Sequence, residues 1–476
     1  MMKTSRLALA VIVLAGGWLG ATAYTKHSVA KGYTDQIAKL EKRLPILHVS
    51  GLKQEGGFFS GTFSGVMYLG CAPVGGKPHP KSLAIAFEDK VQYGPLPGFT
   101  SFGAARVDTH FALTEAAPVE LRGALAQLAP AQIHTDYGYG GGAHTRLVMP
   151  AGEVSIAGGP AKMKMRWAEL RAQATATRDA TQAQYDWSLP ELVLNVDGAE
   201  GSGGGGMKMT VKNLLAKGES SGQPNSWLRE GREDVSVENM AFEVTAPQQP
   251  PVTMVYDHMS SHAVSQLKQG FMDVGFGYAM NGLEMQVAGK DTKLANLALD
   301  GKLQHLDAAA IEQMLTALFA STEMGCAVTD EASAERKDPR VVIASMFKGV
   351  DEASKALMAH DPAFSIDKLA FDLNGKRGEM SMSAKLHGLD VAAMAGPQSG
   401  QALARAGQLQ AKARIPLAWL AVAGGNGDPM QAADAYVAMG FAKRDGEFLT
   451  AEFTFADGVA KLNGAVFPQR QAQQAQ

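Results

Sequence analysis

The feature that most constrains this chain is a period of two. Lys162-Met163-Lys164-Met165-Arg166-Trp167 puts three cations on one side and Met, Met and Trp on the other. Such alternation fits a strand with one oily face and one wet face. It recurs at 47–52, 58–69, 83–87, 106–113, 192–196, 207–212, 294–299, 368–383, 448–455 and 459–466. The turns come from 53 glycines, which include Asn374-Gly375 and the run 198–206 (GAEGSGGGG). The glycine run lacks the Lys-Ser/Thr ending of a phosphate loop, and a strand pattern follows it, so it reads as a hairpin tip.

The N-terminus departs from that pattern. Leu7 to Tyr24 is an uncharged run of 18 residues behind Lys3 and Arg6. At ~1.5 Å per residue it is long enough for a bilayer core. Ala21-Thr22-Ala23 has the form of a cleavage site. Trp18, Tyr24 and the cations that follow favour an uncleaved anchor with the body exported. The expectation is a single-pass protein of a bacterial inner membrane with its body in the periplasm. Residues 26–44 carry Val29, Tyr33, Ile37, Leu40 and Leu44 at helical spacing, read as a juxtamembrane stalk ended by Pro45. Export would place Cys71 and Cys326 in an oxidising compartment, either paired or free.

Helical stretches are expected at 263–278, 308–320, 341–359 and 431–439. Lys302-Leu303-Gln304-His305-Leu306-Asp307 and Lys385-Leu386-His387-Gly388-Leu389-Asp390 read as two strand ends, each running into an Asp-capped helix. The fold class expected is α+β, mostly antiparallel β, with repeated strand–hairpin–helix units, an N-terminal transmembrane helix and a stalk. The expected segments are 1–25 (anchor or signal), 26–45 (juxtamembrane helix), 46–250 (β-rich domain), 251–335 (middle α+β segment), 336–468 (C-terminal α+β domain) and 469–476 (frayed tail). The polar stretch 321–340 marks the clearest internal boundary.

Composition narrows function by exclusion. The 476 residues carry 44 Lys+Arg against 47 Asp+Glu, a net charge of −3, and only 19% are charged. No basic block offers a nucleic acid a surface. Two cysteines cannot build a cysteine-rich metal site or a disulfide scaffold. His258 and His262 stand four apart, a metal face if helical, without a catalytic glutamate. His134, Asp136 and His144 surround a Tyr/Gly turn. Cys71 with His79 lacks an orienting third group. Glu88 and Asp89 fall on opposite faces of a strand and form no dyad. No catalytic residue, cofactor or metal is therefore expected.

The unusual residue is Met, at 23 against 19 Phe. Met163, Met165, Met207, Met209, Met380 and Met382 lie on strands, with Trp167 in phase with the first pair. Met is flexible and polarisable, and it lines adaptable apolar surfaces. Core filling explains it simply. The sharper reading is a groove for acyl chains or a partner's apolar segment.

Several segments also resemble a family. Gly56-Gly57-Phe58-Phe59-Ser60-Gly61 is similar to a glycine–aromatic hairpin, and 91–97 (VQYGPLP) to an "HGPLP" element in which Tyr93 stands in place of His. Tyr137-Gly138-Tyr139-Gly140-Gly141 is similar to a "YGG" turn. His360-Asp361-Pro362 resembles a C-terminal sheet entry and 457–464 (DGVAKLNG) a closing strand. Together they resemble the domain-of-unknown-function family typified by YdgA and YihF, anchored proteins of Gram-negative envelopes. The resemblance implies an inner-membrane anchor and a periplasmic body, and no established reaction. The leading expectation is a non-enzymatic binding or scaffold module, in its specific version one that handles lipid or apolar segments. The alternatives are an envelope hydrolase and a structural homo-oligomer.

Overall fold

The computed structural model describes residues 2–73, 78–79, 82–99, 101–117, 119–126, 128–157, 162–198, 205–224, 226–247, 249–329, 339–395, 399–423 and 428–466. Side chains are described over the same ranges, apart from 2–17, 43, 120–121, 124, 320–347 and 421–423. The glycine tip 199–204, the connection 330–338, the tail from 467 and the side chains of Leu7–Gly17 and Cys326 lie outside the described residues. Strand accounts for 58% and helix for 21%. The chain is thus mostly antiparallel β with an open sheet, not the expected α+β. It divides into two compact units.

Unit 1 comprises Met1–Val196, Leu215–Trp227 and Leu315–Lys348. It opens with α1 (Met2–Arg43), followed by β1 (Leu47–Gly56), β2 (Ser60–Leu69), β3 (Leu83–Tyr93), β4 (Ala105–Leu113), α2 (Val119–Leu125), β5 (Gln132–Tyr137) and β6 (Ala143–Met149). Next come β7 (Gly152–Ala157), β8 (Lys162–Trp167), β9 (Leu170–Ala176) and β10 (Gln182–Asp197). Strands β1 to β6 pair in sequence order, all antiparallel, and β6 then pairs with β9 and β9 with β10. An up-and-down order puts the β1–β2, β3–β4 and β5–β6 connections at one end of the sheet.

One face of this sheet carries a core of Phe63, Val91, Tyr93, Ala105 and Val107, and Val29, Ala30 and Tyr33 of α1 pack on it. The helical spacing of 26–44 therefore serves a helix laid on the sheet, which corrects the stalk. The anchor is corrected as well: among the described residues, no helix is long and apolar enough to cross a membrane. From Trp18 onward α1 buries Thr22 and Thr25, whose hydroxyls bond back to the carbonyls of Trp18 and Thr22. Its charged residues from Lys26 follow at once. A transmembrane segment, a signal anchor and the single-pass inner-membrane placement built on them therefore do not hold.

Unit 2 comprises Asp197–Leu214, Leu228–Met314 and Gly349–Gln476. It takes the start of β11 (Gly206–Ser221), then β12 (Glu230–Thr245), β13 (Val252–Lys268), β14 (Phe271–Val287) and β15 (Lys290–Asp307). After α3 (Ala308–Thr329) and α4 (Pro339–Ala359), each divided between the units, come β16 (Ala363–Leu373), β17 (Lys376–Leu386), α5 (Ser399–Ala406) and β18 (Gly407–Pro416). The unit ends with α6 (Ala418–Ala423), α7 (Pro429–Ala438), β19 (Lys443–Asp445), β20 (Phe448–Ala456), β21 (Val459–Leu462) and β22 (Ala465–Val466). The ladder runs β12–β13–β14–β15–β16–β17–β18–β20–β21–β22, antiparallel throughout, with β19 also paired to β20.

The helix expected at 263–278 is a hairpin. Gln269 and Gly270 both have positive φ, 53° and 85°, which is the two-residue turn that joins twisted strands. Asn374-Gly375 forms the same kind of turn, as its sequence predicts. The two Asp caps are present: Asp307 Oδ1 accepts from Ala310 N at 2.7 Å, and Asp390 Oδ1 from Ala392 N at 3.0 Å. The capped elements differ: Asp307 opens a 22-residue α-helix, and Asp390 only four residues of 3₁₀ helix. The strand–hairpin–helix unit is therefore not repeated.

Candidate functional site

The Met positions fall in both units. In unit 1, Met163 and Met165 lie opposite Ile156 and Val154 of β7. Trp167 is buried and donates its Nε1 hydrogen to Pro150 O at 2.9 Å, so it anchors that hairpin. In unit 2, Met207 is exposed at the start of β11 and Met209 is half-buried. Met380 and Met382 are brought together in one concavity.

Cross-strand register builds that concavity. One row across β16, β17, β18 and β20 reads Leu369, Met380, Ala413, Ala451. The next reads Ile366, Met382, Ala411, Phe453. The alanines of β18 make a low floor between the Met side chains of β17 and Phe453 of β20. The result is a cavity of about 290 Å³ whose lining includes all eight of these residues. That volume is at the lower bound of small-molecule pockets. All eight are half-buried.

The other face of the same strands is charged. Glu379 is opposite Arg414, and Lys412 is opposite Glu452 and bridges to it at 3.3 Å. Lys412 and Gln410 hold the Glu452 carboxyl below its ordinary value. A carboxylate held ionised in this way is a poor general acid.

The candidate catalytic and metal residues are otherwise engaged. His258 and His262 lie on strand β13, not on a helix. His134 Nδ1 is 2.5 Å from Asp108 Oδ1. Asp136 accepts from Arg106 Nε at 2.9 Å and from Arg146 at 2.7 Å. Burial alone would raise the Asp136 carboxyl; the two guanidinium groups outweigh it and leave it below its ordinary value. Among the described residues, no cluster of His, Cys, Asp and Glu could hold a metal ion. Cys71 is disulfide-bonded, which removes it as a thiol nucleophile, and the chain has one other cysteine. The spacing Gly218-Glu219-Ser220-Ser221-Gly222 matches a nucleophile elbow that sequence reasoning missed. Ser220 lies within β11 and no helix follows, so the sharp strand-to-helix turn is absent.

Sequence reasoning also missed a buried carboxylate. Glu88 is exposed beside Lys90, while Asp89 points the other way, in phase with Phe87, Val91 and Tyr93. The Tyr33 hydroxyl donates to Asp89 Oδ2 at 2.5 Å, and the Tyr33 ring stacks on Phe63 at 4.2 Å. Burial first, and then the facing Asp89, push the Tyr33 phenol far above its ordinary value. Burial and the same carboxylate also raise Tyr137. The signal was legible: an Asp at an inward position of an otherwise apolar alternating strand.

The glycine–aromatic elements meet at the loop end of unit 1. Tyr93 N donates to Phe59 O, Gly94 N to Ala104 O and Ala104 N to Tyr137 O. A Cβ on Gly94 would lie 2.0 Å from Gly103 O, so the β3–β4 connection returns across itself at a point only glycine fits. The chain matches the family model of a bacterial protein of unknown function, DUF945, over residues 1–469. It belongs to that family. No curated protein and no solved structure matches this DUF945 chain. Three of the segments that carried the sequence resemblance, 56–61, 91–97 and 137–141, thus meet at one end of the unit 1 sheet, and the other two, 360–362 and 457–464, lie in unit 2.

Proposed function

We propose that this DUF945 chain is a non-enzymatic binding module whose ligand is an extended apolar chain, foremost an acyl chain. The observation that carries the reading is the cavity floored by Ala411, Ala413 and Ala451 and walled by Met380, Met382 and Phe453. Small residues leave room for a chain to lie along the strands. Met side chains adapt to its contour without demanding one shape. Each methylene removed from water contributes roughly 0.8 kcal/mol, so a segment of several methylenes supports micromolar binding. Met163, Met165, Trp167, Met207 and Met209 are absent from this lining and are proposed only as additional apolar surface. Within its family the chain is proposed to stand with the YdgA and YihF type, on the ordered elements it shares with them.

The hydrolase reading rests on one contact, His387 Nδ1 lying 2.9 Å from Asp361 Oδ2. Among the described residues, the cavity beside His387 is lined by Gly388, Asp390, Ala393, Gln401, Ala402, Arg405 and Ala406, none of which carries a hydroxyl or thiol to act as nucleophile.

The test is titration of a fluorescent fatty-acid analogue into the wild type and Ala411→Trp. The indole would fill the cavity from a half-exposed position. Binding lost in Ala411→Trp, with an unchanged unfolding midpoint, supports the reading. Equal binding by both, or none by the wild type, contradicts it. Ester hydrolysis lost in His387→Ala would favour the hydrolase.

A further inference from the structure

Three connections of unit 1 converge at one end, and none of them carries a charge. They are 56–60 (GGFFS), 94–104 (GPLPGFTSFGA) and 138–142 (GYGGG). They expose Phe58, Phe59, Leu96, Phe99, Phe102 and Tyr139, with Phe99 and Phe102 at 76% and 78%. These rings are tied together. Phe58 packs edge-on to Phe59, and Phe102 lies 5.3 Å from Tyr139. Trp18 of α1 sits 5.6 Å from both Phe59 and Phe99. A crown of exposed aromatic rings on loops that carry no charge of their own, with Arg178 packed on Gly141 at its edge, is not the ordinary surface of a protein in water.

We propose that this crown rests on a lipid surface. Two observations select lipid over a protein partner. The loops themselves have no charged side chain, and Arg178, packed on Gly141 at their edge, is a cation of the kind that pairs with lipid phosphate. Aromatic rings on glycine- and proline-rich loops are suited to the boundary between head groups and acyl chains, where Trp and Tyr are enriched. The second observation is continuity. Helix α1 runs without a break from Met2 through Trp18, and its residues 7–17 are uncharged in sequence. The helix therefore enters the crown from an apolar stretch of its own chain. The contact is a surface that the loops rest on, reaching roughly 5–10 Å deep as interfacial segments do, and it needs no helix to cross. It is independent of the cavity in unit 2.

The experiment is vesicle flotation of the full-length chain with phosphatidylcholine vesicles, repeated with phosphatidylglycerol included. Three variants are compared: Phe99→Ser/Phe102→Ser in the crown, Phe111→Ser at an exposed position toward the other end of β4, and Ala411→Trp in the cavity. The wild type, Phe111→Ser and Ala411→Trp are expected to float alike. The crown variant should partition at least about tenfold less, in both compositions. Both crown rings are already in solvent, so their replacement leaves the fold intact, and an unchanged circular dichroism melt verifies this. Equal flotation of the crown variant overturns the proposal, as does a wild type that does not float. Loss of flotation in Ala411→Trp overturns it by routing vesicle binding through the cavity. So does a wild-type oligomer, in the absence of vesicles, that the crown variant dissociates, because the crown would then be a contact between copies.

Discussion

Tyr33 of the N-terminal helix donates its phenolic hydrogen to Asp89 Oδ2 at 2.5 Å, across 56 residues of sequence. Asp89 is buried, so this hydroxyl is its main compensation on that side. Replacing Tyr33 by Phe keeps the ring on Phe63 and removes the donor. The expected loss is about 1–3 kcal/mol in urea unfolding. Asp89→Asn should cost less in the Tyr33→Phe background than in the wild type, because the two side chains form one interaction. Additive losses would mean that the pair is not coupled.

The carboxyl of Asp136 has a folded-state value below its unfolded one. Its contribution is therefore fully present above the unfolded value of about 3.9 and fades as pH falls through the folded one. Asp136→Asn should be less stable than the wild type by about 1–2 kcal/mol from pH 7 down to pH 5. The gap should narrow below about pH 4. Chemical denaturation across that range checks it, and a gap constant down to pH 2 would contradict the assignment.

Among the described residues no cysteine is free, and Cys71 is disulfide-bonded. Thiol titration of the denatured, unreduced protein should find none, and reduction should lower the unfolding midpoint. A disulfide from Cys71 to the chain's other cysteine, Cys326, would close a loop of about 255 residues and stabilise by roughly 5–6 kcal/mol on the chain-entropy argument, before any strain. Two titratable thiols in the purified protein would show the bond to be absent.

Close backbone approach at Gly94 makes it the sensitive glycine of the loop end. Gly94→Ala meets Gly103 O and should destabilise by about 1–3 kcal/mol. Gly57→Ala, with open space at its Cβ, should stay within about 0.5 kcal/mol of the wild type. Thermal melts of the pair decide it.

The strands were legible in the sequence because alternation is local: each residue states its own face. The same holds for Asn374-Gly375, whose residue types fix the turn, and for the caps at Asp307 and Asp390. The stretch 263–278 was misread because its apolar spacing suits a helix when Gly270, Gly275 and Gly277 are overlooked. Those three glycines are poor in a helix interior and natural in a hairpin. The role of α1 was illegible for a different reason. Tyr33 and Val29 show an apolar stripe whether that stripe meets lipid or a sheet. Only the register that places Asp89 opposite Tyr33 distinguishes the two. At the candidate site, the sequence supplied Met380 and Met382 as a pair. It could not supply Ala411, Ala413 and Phe453, which reach them only through strand pairing.

The central claim is tested most directly by methyl NMR of the protein labelled at its methionine methyl groups, with dodecanoate added stepwise. Met380 and Met382, assigned through Met→Leu variants, should shift together and saturate, while Met163 and Met165 hold their positions. Shifts confined to Met163 and Met165, or none at all, would contradict it.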